Sequence, residues 1–203
     1  MESFINQTAY IVTKDVATFL FTFVGLVIAG MGLATWKKQI KGVKEFDTAY
    51  NVHYSVLKLR DAIKYVRNPA IWPSESDRAI QYYKTKYPDE TFEDIEKNPS
   101  SCVYQMRWEK IVVASTELES YLLEGEVLWG SEILSLVKDL NKKITELNIG
   151  LKQTFEPKLR TKKSEELDAI IYNQSNGNDL DPFSRDIEEI IKKISDYLKP
   201  KMM

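Results

Sequence analysis

The chain has 203 residues, of which 29% are Asp, Glu, Lys or Arg, and a formal net charge of −2. That length holds one ordinary domain plus a short additional segment and disfavours two full soluble domains. The near-neutral balance lacks the basic excess that matches a phosphate backbone, so no nucleic-acid partner is expected, and the one cysteine, Cys102, excludes an intrachain disulfide and fits a reducing compartment.

Charge is unevenly distributed. The first 36 residues contain only Glu2, Lys14 and Asp15 among the charged types, out of 28 basic and 30 acidic residues in all. Between Asp15 and Lys37 lies the uncharged run Val16–Trp36, whose roughly 21 residues at 1.5 Å rise cross a hydrocarbon layer of about 30 Å. Its length selects a single-pass transmembrane helix. Trp36, Lys37, Lys38, Lys41 and Lys44 form an interface-and-base cluster on the C-terminal flank. The positive-inside rule then leaves residues 1–15 as a short extracytoplasmic N-terminus and residues 37–203 in the cytoplasm of an inner (plasma) membrane setting. A cleaved signal peptide is the competing reading, because Gly32-Leu33-Ala34 has a small-x-small pattern; the missing basic n-region and the long apolar core weigh against it.

Within the span, Gly25 and Ala29 are four residues apart, as are Gly30 and Ala34, a spacing that lets helix backbones approach closely. These four are candidates for helix association, against the plainer reading of lipid-facing filler. Thr18 and Thr22 are expected to bond their own helix backbone. No ionisable residue lies inside the span, which disfavours a transport or proton-relay path.

After Lys37 the pattern is helical. Ala49, Val52, Val56, Leu59, Ile63 and Val66 recur at three- and four-residue intervals, and the segment should end at Asn68-Pro69, since a residue before proline disfavours the helical region. Gly42 is a candidate bend. Residues 69–101 hold four of the seven prolines and read as a long connection containing one short helix, started by a Ser74/Asp77 capping box and running to about Tyr83. This connection displays Trp72, Tyr82, Tyr83, Tyr87 and Phe92. Trp72, Tyr82, Tyr83 and Tyr87 are candidate partner-binding residues, although aromatics folding back over a small core are the more ordinary arrangement.

The next helix is expected from Cys102 to Leu123, with a turn at Glu124-Gly125. Ile133, Val137, Leu140, Ile144, Leu147 and Leu151 then form a strict 4-3-4-3-4 stripe, the spacing of a two-stranded coiled coil or of a bundle seam. Leu134, Leu136 and Ile149 widen the apolar face, which favours packing inside one chain. Pro157 interrupts the pattern, a helix is expected at 161–172, and a polar loop at 173–181 precedes a last helix from Pro182 that carries Phe183, Ile187, Ile190, Ile191, Ile194 and Leu198. The fold class is all-α: one N-terminal transmembrane helix followed by a cytoplasmic antiparallel helical bundle.

No catalytic constellation emerges. His53 has no second His or Cys beside it and reads as a structural histidine, Cys102 lacks a partner other than His53, and the loop 176–181 does not follow the EF-hand ligand order. There is no Walker A loop, G-x-G-x-x-G or G-x-S-x-G. The chain therefore reads as no enzyme, with no cofactor and no metal. Lys37, Lys38, Lys41 and Lys44 are candidates for anionic headgroups, at about 1 kcal/mol per base, whereas Arg60, Lys64 and Arg67 read as a solvated or ion-paired face.

Thr35-Trp36-Lys37-Lys38-Gln39-Ile40-Lys41-Gly42, together with the stretch Lys58–Pro69, resembles the opening of uncharacterised bacterial single-pass membrane-anchored helical proteins. The resemblance covers about a sixth of the chain and implies a bacterial inner-membrane setting with a helical cytoplasmic domain, but no activity and no functional residue. The expected function is a membrane-tethered protein-interaction or scaffold module, such as a subunit of an envelope or defence assembly, with membrane lipid and either a protein partner or a second copy as its contacts. Two alternatives stay open: an oligomerising membrane-perturbing effector, and a membrane-anchored enzyme with an unfamiliar site.

Overall fold

A computed structural model describes residues 2–88, 99–177 and 179–203. Among the described residues there is no strand; the elements are α1 (Glu2–Val66), α2 (Pro73–Lys86), α3 (Pro99–Trp129), α4 (Glu132–Phe155), a 3-10 turn (Pro157–Leu159), α5 (Ser164–Ile171), α6 (Pro182–Leu198) and a terminal 3-10 turn (Lys199–Met202). The protein is all-α. The chain divides into two compact units, Met1–Glu45 and Phe46–Met203.

The first unit is helix alone. Helical hydrogen bonding passes through Gly42, where a bend was expected. From Thr13 to Glu45 no residue is buried, and a stretch of this unit is long and apolar enough to cross a membrane, a property that membrane spans and signal sequences share. Thr18 and Thr22 donate to the carbonyls of Lys14 and Thr18, both at 2.8 Å, so neither hydroxyl is left over in the apolar run.

The second unit is built on four long helical segments. Residues 46–66 of α1 run antiparallel to α3, with Lys58 Nζ 2.8 Å from Glu117 and Thr48 donating to Glu124, and antiparallel to α6, with Lys64 Nζ 2.8 Å from Glu188 and His53 bonded to Ser195. α4 turns back from α3 at Gly130 and meets α6 through Lys143 and Asp186 at 2.7 Å. The apolar stripes close into one core: Ala49, Val52, Val56, Leu59, Ile63 and Val66 of α1, Ile111, Leu118 and Leu122 of α3, and Ile187, Ile191, Ile194 and Leu198 of α6. The regular stripe of α4 faces inward within the same chain. Ile133, Val137, Leu140, Leu147 and Leu151 are buried and Ile144 is half-buried, so this seam is not free for a coiled-coil partner.

Three helices differ in extent from expectation. α3 continues past Glu124-Gly125 to Trp129 and ends only where Gly130 takes a positive φ of 75°, the left-handed conformation that glycine adopts without a Cβ clash. Gly125 serves packing instead: a Cβ there would lie 3.0 Å from the Trp129 ring. α2 starts with Pro73 at its first turn and Trp72 at the cap position, without a side-chain cap, so no Ser74/Asp77 box forms, and the helix runs on to Lys86. α5 covers Ser164–Ile171, shorter than the expected 161–172. α6 begins at Pro182 as expected, with Asp181 capping it through the Ser184 N–H.

Candidate functional site

The most concentrated chemistry lies inside the second unit, around two buried arginines. Arg67, only 2% exposed, donates from Nε to the Ile170 carbonyl at 2.7 Å and from Nη2 to Ala169 and Tyr172 carbonyls at 3.0 and 2.8 Å. Its guanidinium also pairs with Asp181 at 3.0 Å, bonds Ser184 Oγ at 2.7 Å and stacks 4.5 Å from the Phe183 ring centre. Asp181 accepts the Ser184 N–H at 2.9 Å and the Ser175 hydroxyl at 3.0 Å. Burial pushes its carboxyl up, but the Ser184 N–H, Arg67 and the Ser184 hydroxyl together outweigh that and hold it at about 2.

Arg107 forms a second hub. Its Nε and Nη2 bind both oxygens of Glu75 at 2.8 and 2.7 Å, the fork-on-carboxylate geometry that favours arginine, and further donors reach the carbonyls of Asn68 and Ala70. Tyr65 donates to the same carboxylate at 3.0 Å. The bonds from Arg107 hold Glu75 below the usual carboxylate range against its burial, while burial and the bond to Glu75 push the Tyr65 phenol up. Each arginine fastens an irregular stretch to the bundle: Arg107 the link 68–72, and Arg67 the loop 173–181. Their guanidinium groups bond the protein's own carbonyls, carboxylates and the Ser184 hydroxyl, and so act as structural clamps. Arg60, Lys64 and Arg67 are all ion-paired, one of the two forms expected for this face; Arg67 is buried with Asp181, whereas Lys64 and Arg60 pair with Glu188 and Asp61 at the surface.

Trp36, Lys37, Lys38, Lys41 and Lys44, the residues expected at a membrane interface, are all exposed on the first unit, with Lys41 3.7 Å from Glu45. Gly25, Ala29, Gly30 and Ala34 are exposed as well, and a Cβ added at Gly25 or Gly30 would meet nothing within 4 Å. The aromatic connection divides in two. Tyr83 packs on a small cluster of Ala79, Cys102 and Val103, its ring 4.7 Å from that of Tyr87, and Lys86 lies over Tyr82 and Tyr87 while pairing with Glu109 of α3. Trp72 and Tyr87 stay exposed, Tyr82 is half-buried, and Phe92 falls outside the described residues.

His53 is half-buried at 2.9 Å from Ser195 Oγ, and burial followed by the nearby Lys199 charge lowers its pKa. Cys102 is buried. Two open clefts mark the surface. One, of about 410 Å³, lies between α3 and α4 around Tyr104, Trp108, Asn148 and Lys152; the other, of about 480 Å³, lies between α1 and α3 beside Lys58, Tyr65 and Val113. Neither His53 nor Cys102 lines either cleft. Among the described residues, no three His, Cys, Asp or Glu side chains are grouped to hold a metal ion.

What sequence periodicity passed over is the outer face of α3. Val127 is 86% exposed, Leu123 and Val113 are each 65% exposed, and Val112 is exposed too, on a helix whose other side is fully committed to the core. No protein-family model, curated protein or solved structure matches the chain.

Proposed function

We propose that this protein is a membrane-tethered interaction or scaffold module, held by residues 16–36 in the inner membrane with its N-terminus outside and its helical unit in the cytoplasm. The observation that carries this reading is the pairing of an unburied apolar helix with a filled bundle that keeps Val113, Leu123 and Val127 in water. Apolar residues left exposed together on one side of a packed helix mark contact surfaces more often than single exposed ones do. The orientation rests on Lys37, Lys38, Lys41 and Lys44 flanking the span on its C-terminal side.

A photo-crosslinking residue placed at Leu123 or Val127 in native membranes tests the reading. Discrete adducts at these positions, absent when the probe replaces exposed Lys193 on α6, are expected. Equal background labelling at all three, with a monomer in mild detergent, would contradict it.

A further inference from the structure

The first unit carries a second surface with a different occupant. At 3.6 residues per turn, Gly25, Ala29, Gly32, Trp36, Ile40 and Val43 fall within an arc of about 80° on one side of α1. Three are small and lie in the span; three are large, apolar and 50–60% exposed, at and beyond its lysine-rich end. Ile40 and Val43 follow the first two lysines, where hydrocarbon no longer accounts for apolar residues, and they keep to the same arc at three- and four-residue steps. Counted round the wheel from Trp36, Lys37, Lys38, Lys41 and Lys44 occupy a separate arc, from about 80° to 200°. Gly30 and Ala34 lie on that lysine side.

We infer that α1 pairs with α1 of a second copy, in parallel and in register, along Gly25, Ala29, Gly32, Trp36, Ile40 and Val43. A bilayer gives every copy the same orientation and depth, so a seam on this helix meets its own equivalent residues. Charge selects this face over the other: joining two copies along it keeps all four lysines off the contact, whereas pairing through Gly30 and Ala34 would face lysine toward lysine. Small residues let the backbones approach inside the membrane, where packing drives association, and Trp36, Ile40 and Val43 add water-excluding contact outside it. In sequence the next position on the line is Asp47, which sets like charges opposite each other and ends the seam. The inference rests on the membrane-tethered reading and names one of its partners.

Single cysteines at Ile40, Val43, Lys38 and Gly42 in the full chain, oxidised mildly in native membranes, test it. Cys102 is buried, and the wild-type chain controls for it. Disulfide-linked dimers are expected for Ile40→Cys and Val43→Cys but not for Lys38→Cys or Gly42→Cys, and Gly25→Leu in the Ile40→Cys background should lower the dimerisation constant roughly tenfold, the scale of a close helix–helix contact. Equal crosslinking at all four sites, or none, overturns the pairing. Alkaline extraction of the same membranes separates the two claims: a chain that washes off contradicts the tether, whereas one that stays embedded without the position pattern contradicts only the seam.

Discussion

α1 meets two different solutions to the same problem. From Ala49 to Val66 its apolar residues are sealed against α3 and α6, and the charges beside them are paired. From Val16 to Val43 residues of the same chemical types have no protein cover at all. The difference is one of cover, and it matters because apolar surface left in water costs roughly 25 cal/mol per Å². The second unit buries its own apolar stripes, and the first leaves its apolar residues exposed.

That contrast predicts where substitutions act. The largest effect belongs to the buried clamps: Arg67→Leu strands Asp181 without its partner and should cost about 3–5 kcal/mol of unfolding free energy, read by denaturant titration of the full chain in detergent. If the change is neutral, the second unit is not held by this clamp. Next in size is Gly150→Ala, where a Cβ would lie 3.1 Å from Ile170 and 3.2 Å from Ile171; overpacking of that kind costs about 1–3 kcal/mol. Gly25→Ala, in open space on the first unit, should leave the same unfolding transition in place.

The pH response is smaller and has a definite sign. Asp181 is held at about 2 in the folded protein, below its ordinary value, so its contribution is fully present above about pH 4 and is lost as pH falls toward 2. His53 is also lowered, so the stability of its neutral form is present above its ordinary value of 6.5 and declines as pH drops below it. Tm measured from pH 8 to 5 should fall for the wild type and less for His53→Gln. A parallel fall in both would remove His53 as the cause. The smallest effect is on the outer face of α3: Val127→Asp should change stability by less than about 0.5 kcal/mol while abolishing the partner adduct at Leu123.

The bundle was legible in the sequence because its signal is repetitive. Every one of Ala49, Val52, Val56, Leu59, Ile63 and Val66 is buried, and so is most of the 133–151 stripe. Helix ends were harder, since Gly125 resembles a breaker until Trp129 is seen lying over it. The clamps were hidden by residue type: Arg107 sits in phase with buried Tyr104 and Ile111, but a charge in an apolar stripe discloses its role only when Glu75, 32 residues away, is brought beside it. The α3 surface was masked for the opposite reason, because exposed valine and leucine are indistinguishable in sequence from core residues.

A tether requires that the first unit remain in the membrane as part of the protein. The most direct measurement is the intact mass of the chain recovered from alkaline-washed membranes. A species that retains the residues before Ala34, at the 23.5 kDa of the whole sequence, is the predicted result. A soluble species shortened after Ala34 would make the apolar segment a removed signal sequence and contradict the tether.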